Sequence, residues 1–233
     1  MWSPDGSRIV FNSGRAGTLD LYQTASSGTG SDELLLKSDD TKWPNDWSSD
    51  GRFISFGGFN PKTQLDAWIL PLDGGRKPFP IVQTQFFEGW TTFSPDRRWI
   101  AYTSDESGRN EVYVQPFNPA SGGPGKVSNG NATSGVRWQV STGGGFQQRW
   151  RRDGKELFYL TAERKMMAVE IKNGLSFNAG IPKPLFAARF PPETHAHPTY
   201  DVSADGQRFL INTLVGEEKP ITVVVNWQAG LKR

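Results

Sequence analysis

A short turn pattern built on one aspartate, in its fullest form aromatic-Ser-Pro-Asp-Gly and followed by an apolar run, recurs five times along the 233 residues. The first copies are Trp2-Ser3-Pro4-Asp5-Gly6 leading into Ile9-Val10-Phe11, and Trp47-Ser48-Ser49-Asp50-Gly51 leading into Phe53 to Phe56. Phe93-Ser94-Pro95-Asp96-Arg97 precedes Trp99 to Tyr102, and Trp150-Arg151-Arg152-Asp153-Gly154 precedes Leu157-Phe158-Tyr159. Val202-Ser203-Ala204-Asp205-Gly206 before Phe209-Leu210-Ile211 completes the series. The five aspartates stand 45, 46, 57 and 52 residues apart. A fixed period of this size belongs to chains built from one supersecondary unit, each copy burying its apolar face against the next. The long third interval has a visible cause, since Asn118 to Gly135 is rich in Gly, Ser, Asn and Pro and reads as an extended surface loop.

Each copy reads as the same small antiparallel sheet. A short strand ends at the aromatic, and the Pro-Asp-Gly step makes a hairpin turn, because glycine accepts the positive φ such turns need. An apolar strand follows, as in Ile9 to Phe11 and Leu157 to Leu160. A third strand alternates at period two, as in Leu19-Asp20-Leu21-Tyr22 and Glu111-Val112-Tyr113-Val114, and fourth strands are expected at Glu33 to Lys37 and Arg137 to Ser141. No helical apolar stripe runs for a useful length, so little helix is expected. Plentiful glycine (26), proline (16) and tryptophan (9) fit many short strands, tight turns and aromatic packing between sheets.

The expected architecture is all-β: a five-bladed β-propeller of four-stranded antiparallel blades. It would form a single domain over 1–233, with repeats near 1–42, 43–85, 86–142, 143–195 and 196–233. The first blade is expected to be incomplete, because its innermost strand is almost wholly absent before Trp2. Either the chain is the C-terminal piece of a longer one, or another strand closes the ring, and Ile221 to Trp227 is the candidate. The recurring aspartate is read as a turn residue. Turn geometry demands the same residue in every blade, whereas a chemical site draws on different residues from each.

The Trp-Ser-Pro-Asp-Gly-x-Arg-Ile-Val-Phe form of the first copy resembles the WD-like repeat of TolB-type propellers. A closer resemblance lies in Phe93 to Tyr102, Glu111 to Phe117, Trp138 to Gly145, Arg149 to Tyr159, Tyr200 to Leu210 and Ile221 to Trp227. These stretches are similar to the propeller that follows the kinase domain and membrane span in many bacterial eukaryotic-like serine/threonine kinases. The resemblance covers nearly the whole chain. It implies the fold, a sensory or scaffold role, and a periplasmic or otherwise extracytoplasmic setting. Met1 to Gly6 shows no basic or apolar signal-peptide pattern of its own. The kinase part has no counterpart here, with no Gly-rich loop after a strand, no H-R-D loop and no D-F-G.

Composition narrows the partners. Twenty-six Lys and Arg against 24 Asp and Glu leave a formal charge of +2, which predicts no nucleic-acid partner. The densest basic cluster, Arg149, Arg151, Arg152 and Lys155, reads as a solvated hairpin face. No apolar run approaches the ~20 residues that span a bilayer, so no direct membrane insertion is expected. With no cysteine, disulfides, thiolate metal sites and a cysteine nucleophile are excluded.

In a propeller the innermost strand of each blade lines the central channel and immediately precedes the turn motif. This places Asn45, Asp46, Glu88, Gln147, Gln148 and Asp201 nearest the axis, as channel or ligand-binding residues. Asp46 and Glu88 offer the hard oxygens that Ca²⁺ prefers, and a channel Ca²⁺ is the one cofactor weighed. His195 and His197 are the only histidines, and His197 is the candidate general base. Their Pro-rich surroundings, and the lack of a third histidine or a cysteine, favour loop residues without a role. The Gly143-Gly144-Gly145 run lacks the lysine and helix of a phosphate loop and reads as a strand connection. Phe59, Phe86, Phe87, Trp90 and Phe146 are candidates for an aromatic rim at one mouth.

Two functions fit these residues. The first is a non-catalytic module binding a protein, peptide or small-molecule ligand at the channel mouth. The alternative is a Ca²⁺-dependent hydrolase of lactones or similar esters, with Asp46 and Glu88 holding the metal and His197 as base. Open blade edges also make self-association an expectation.

Overall fold

The computed structural model of the chain describes residues 1–117, 136–172, 174, 176–189 and 198–213, and the backbone of 222–225. Among the described residues there is no helix, and eighteen strands form five antiparallel sheets. The first blade contains β1 (Arg8–Ala16), β2 (Thr18–Ala25) and β3 (Glu33–Leu36). The second contains β4 (Thr41–Trp47), β5 (Phe53–Asn60), β6 (Gln64–Pro71) and β7 (Phe79–Val82). The third contains β8 (Glu88–Phe93), β9 (Trp99–Ser104), β10 (Glu111–Pro116) and β11 (Trp138–Gln139). The fourth contains β12 (Phe146–Trp150), β13 (Glu156–Leu160), β14 (Lys165–Glu170) and β15 (Lys183–Ala187). The fifth contains β16 (Tyr200–Val202), β17 (Arg208–Ile211) and β18 (Thr222–Val225). Every sheet is a meander, each strand paired with its sequence neighbours.

The middle three blades have the expected four strands; the first and last show three among the described residues. In the first blade Met1 and Trp2 hold the place of the end of an innermost strand. The Val10 N–H donates to the Met1 carbonyl at 2.7 Å, the Met1 ammonium donates to the Val10 carbonyl at 2.8 Å, and Trp2 bridges Ile9. The expectation that Ile221 to Trp227 helps close the ring is corrected for its described part. Thr222 to Val225 pair with Arg208 to Ile211 inside the fifth blade. A meander satisfies the outer edge of β17 with the next strand in sequence, so this segment is spent within its own sheet. The proposed surface loop over Asn118 to Gly135 lies outside the described residues.

The turn aspartates do what the repeat implies. In four blades a serine hydroxyl donates to the aspartate two residues on: Ser3 to Asp5, Ser48 to Asp50 and Ser94 to Asp96 at 2.6 Å, and Ser203 to Asp205 at 2.5 Å. The same carboxylate oxygen accepts the backbone N–H of Ser7, Arg52, Arg98 and Gln207. In the fourth blade Arg151 replaces the serine and grips Asp153 with two N–H groups, at 2.7 and 2.8 Å. The residue after the aspartate is left-handed in each turn: Gly6, Gly51, Gly154 and Gly206 at φ of 70 to 75°, but Arg97 at 60° in the third blade. Only the third blade therefore carries the strain of a side chain there.

Packing between blades follows one rule. The fourth and sixth residues after each turn aspartate face the preceding blade. Ile54 and Phe56 pack with Val10, Leu21 and Leu35 of the first blade, and Ile100 and Tyr102 pack with Ala67, Ile69 and Val82 of the second. Leu157 and Tyr159 meet Ala101, Val112 and Val114, while Phe209 and Ile211 meet Phe158, Leu160 and Met166. Burial of each such side chain contributes about 1.5–3 kcal/mol. Four apolar cores thus join five sheets, and among the described residues none joins the fifth blade to the first.

A second recurrence escaped the sequence reading. Asp20, Asp66 and Glu111 each stand two residues before the aromatic of the third strand, and all three are buried. They tie that strand to the segment running on toward the next blade. Asp20 accepts the Ser38 N–H at 3.2 Å, Asp66 accepts from Gln83 at 3.1 Å, and Glu111 accepts from the Ser141 hydroxyl and from the Gly144 N–H at 3.0 Å. The Gly143 to Gly145 run is thus part of a strand connection. The Asp-x-Tyr, Asp-x-Trp and Glu-x-Tyr spacings were the available signal.

Candidate functional site: the channel mouth

The inner strands carry a shared irregularity. In β4 the pairing jumps between Pro44 and Asp46, in β8 between Gly89 and Thr92, and in β12 between Phe146 and Arg149. Trp90 and Gln147, each three residues before the closing aromatic, take positive φ of 49° and 54°. A bulge inserts extra backbone on one strand and re-aims its side chains. Here it turns polar groups toward neighbouring blades and toward the axis.

Four residues hold the same place in the repeat, each just before the residue that ends its inner strand: Asp46, Thr92, Arg149 and Asp201. Asp46 Oδ2 accepts the N–H of Phe93 in the next blade at 2.8 Å. Its carboxyl is pushed up to about 6, chiefly by burial, with the carboxylate of Asp201 adding to the effect. The Arg149 guanidinium and the N–H groups of Phe93 and Trp47 pull the other way. Asp46 keeps some accessible surface although protein crowds its carboxyl. Tyr200, buried on β16, lies within the fields of the same Arg149 and Asp201, and burial raises its hydroxyl. Groups from the second, fourth and fifth blades therefore lie within one another's electrostatic reach.

The other expected channel residues have different duties. Gln147 Oε1 accepts the N–H and hydroxyl of Thr199, both at 2.8 Å, joining the fourth and fifth blades. Gln148 Oε1 accepts the Thr103 hydroxyl at 2.9 Å, and its amide donates to the Trp90 carbonyl, joining the fourth and third. Both glutamines are fully enclosed and serve as stitches between inner strands. Asn45 is on β4, and its Oδ1 is buried with no hydrogen-bond partner, as are the hydroxyls of Thr91 and Thr92 on β8.

Glu88 is not beside Asp46. It begins β8 at the position that Lys42 holds in β4, paired with Ser104 as Lys42 is with Gly58. Asp46 is four residues farther along its strand, roughly 13 Å at the usual rise. The expected Asp46–Glu88 metal pair is therefore not assembled. Among the described residues no group of three or more His, Cys, Asp or Glu is placed to hold a metal ion. Glu88 is instead fully buried, bonded to the Thr84 hydroxyl, and pushed up to about 8 chiefly by burial. His195 and His197 lie outside the described residues.

The expected aromatic rim is largely consumed by packing. Trp90 contacts Phe146 at 5.7 Å and Phe87 at 5.2 Å between ring centres, and all three belong to one apolar core, leaving Phe59 exposed. Of the basic cluster, Arg151 is engaged by Asp153 and Glu156, whereas Arg149 acts electrostatically on Asp46. A cleft of about 590 Å³ opens between the first two blades beside their Asp5 and Asp50 turns, lined by Arg8, Glu33, Trp47 and Arg76 among others. Arg76 and Glu33 already pair there at 2.7 Å.

Five successive antiparallel meanders, each containing the Asp turn and packed on the next through an apolar core, give a β-propeller fold like that of TolB structures. Among solved structures, TolB from Acinetobacter baumannii superposes with a TM-score of 0.71 at 16% identity, over 97% of this chain and 50% of that one. A putative TolB from Agrobacterium tumefaciens gives 0.61 at 17% identity, over 79% and 63%. An oligogalacturonate lyase in complex with manganese gives 0.56 at 12% identity, over 98% and 73%. The chain thus spans half to under two-thirds of the length of these TolB structures. No protein-family model matches the chain, and no curated protein matches it in sequence.

Proposed function

We propose that this propeller is a non-catalytic binding module that receives a polar segment of a protein or peptide at the channel mouth formed by Asp46, Arg149 and Asp201. The observation that supports the reading is the electrostatic influence of Arg149 and Asp201 on Asp46 across three blades, while Gln147 and Gln148 are spent on bonds between inner strands. Two carboxylates and a guanidinium around a lumen offer charge-assisted hydrogen bonds to an extended chain, with partly prepaid desolvation. The fold likeness to TolB structures and the sequence resemblance to propellers of bacterial receptor kinases point the same way.

Isothermal titration with a library of short extended peptides of differing charge is the test. Binding by the native protein that is lost in Arg149→Gln and in Asp46→Asn supports the reading; no binding, or binding indifferent to both changes, removes it. The hydrolase alternative rests on a channel Ca²⁺, for which Asp46 and Asp201 would now have to serve beside the Arg149 cation. Stoichiometric calcium in purified protein, with a melting temperature that falls on adding EDTA, would move the assignment to it.

A further inference from the structure

The turns of neighbouring blades touch at every junction except the first. Between the second and third blades Arg97 pairs with Asp50, and the Ser49 hydroxyl donates to the Pro95 carbonyl at 3.0 Å. Between the third and fourth, Pro95 lies against Gly154, where a Cβ would stand 3.8 Å from the proline Cδ. Between the fourth and fifth, the Arg151 stem covers Gly206, where a Cβ would stand 2.7 Å from Arg151 Cδ. Between the first and second, the repeat puts Pro4 in the place of Ser49 and Gly51 in the place of Arg97, so neither link of the next junction can form. A Cβ on Gly51 would meet nothing within 4 Å, although Pro4 is the counterpart of Pro95. The cleft of about 590 Å³ occupies this space, and Met1 and Trp2 are not among its walls.

The charges on the cleft are matched in all but one place. Glu33 accepts from Arg76 at 2.7 Å and from Gln23 at 2.6 Å, with Arg8 at 3.6 Å, and Asp50 has Arg97. Asp5 is bonded only within its own turn, by Ser3 and Ser7, and no Lys or Arg among the described residues pairs with it. The Ser3 hydroxyl, with the N–H and hydroxyl of Ser7, holds its carboxyl down to about 2, so it stays anionic at ordinary pH. An anionic guest would have to take Arg76 or Arg8 from Glu33, whereas a cationic guest finds a carboxylate without a cation.

We infer that this cleft binds a guanidinium group, the side chain of an arginine in a partner peptide or protein, which takes at Asp5 the place that Arg97 takes at Asp50. The planar fork of a guanidinium matches a carboxylate, and its aliphatic stem would lie along Pro4 and Leu72 of the cleft wall. The cleft shares no residue with Asp46, Arg149 and Asp201, so the inference does not depend on the function proposed for them.

Isothermal titration with three end-capped peptides tests this: Gly-Ser-Arg-Ser-Gly and its versions with lysine or citrulline in place of arginine. Citrulline keeps the shape without the charge, so it should bind about tenfold more weakly, the loss of one charge-assisted pair. Lysine, a point charge without the fork, should fall between them. Asp5→Asn keeps the acceptor oxygen that the turn uses, so it should keep the native circular dichroism while weakening the arginine peptide about tenfold. Gly51→Arg supplies the guanidinium from the protein itself, at a left-handed φ of 75° where Arg97 already tolerates 60°, and should abolish peptide binding. No binding of the arginine peptide, equal binding of the citrulline or lysine peptide, or binding unchanged in both variants would overturn the inference. Binding lost in Arg149→Gln but kept in Asp5→Asn would assign the peptide to the channel mouth and overturn it equally.

Discussion

Replacing Glu88 by glutamine separates the effect of burial from that of charge. Glu88 is fully enclosed, with the carboxylates of Asp66 and Asp105 adding to the penalty on its anion and Thr84 only partly offsetting it. Its carboxyl is pushed from an ordinary 4.5 up to about 8, so the native protein holds this proton at neutral pH while the unfolded chain does not. For a group raised on folding, the stabilisation is complete below the unfolded value and is lost as pH rises through the folded one. At about 1.4 kcal/mol per pH unit, the loss between 4.5 and 8 approaches about 5 kcal/mol. Glutamine has the shape of the protonated acid and can still bond Thr84, so Glu88→Gln should be nearly neutral near pH 5. Relative to the variant, the native protein should lose about 2–3 kcal/mol between pH 5.5 and 7.5. Urea unfolding of both proteins at those two pH values measures this difference, and the contribution of Asp46 cancels in it. A difference that stays flat with pH would refute the assignment of a buried, neutral Glu88.

Two further outcomes follow from particular contacts. Lys42 is buried with all three donors engaged, by Asp20 at 2.8 Å and by the carbonyls of Ser38 and Asp40 at 3.2 and 2.6 Å. Lys42→Met should destabilise by about 3–5 kcal/mol in urea, and adding Asp20→Asn should recover part of it, because the main cost is an unpaired buried carboxylate. Arg97 holds a left-handed φ of 60° where the other four turns have glycine, and its guanidinium pairs with Asp50. Arg97→Gly and Arg97→Ala both lose the ion pair, so thermal melts should show the glycine variant more stable by about 1 kcal/mol, the backbone strain alone.

The blade count, the turn chemistry and the order of strands were legible because they are local and repeated. Asp5, Asp50, Asp96, Asp153 and Asp205 each meet their partners within a few residues, so the spacing that shows the repeat also shows the bonds. The alternation in Leu19-Asp20-Leu21-Tyr22 likewise marked a strand, though not that Asp20 would pair with Lys42, 22 residues on. The composition of the candidate site was only half legible. Position before a turn motif placed Asp46, Glu88, Gln147, Gln148 and Asp201 on inner strands. It said nothing of height along the axis, which separates Glu88 from Asp46, nor of the bulges at Trp90 and Gln147 that direct side chains across blades. Arg149 read as part of a solvated basic face, and only the packing of the fourth blade near the second brings its charge to bear on Asp46. A repeat fixes what each blade is, since its bonds close within the unit. What gathers at the axis depends on register between blades, set by bulges and by long-range contacts such as Gln148 to Trp90 that no single blade encodes.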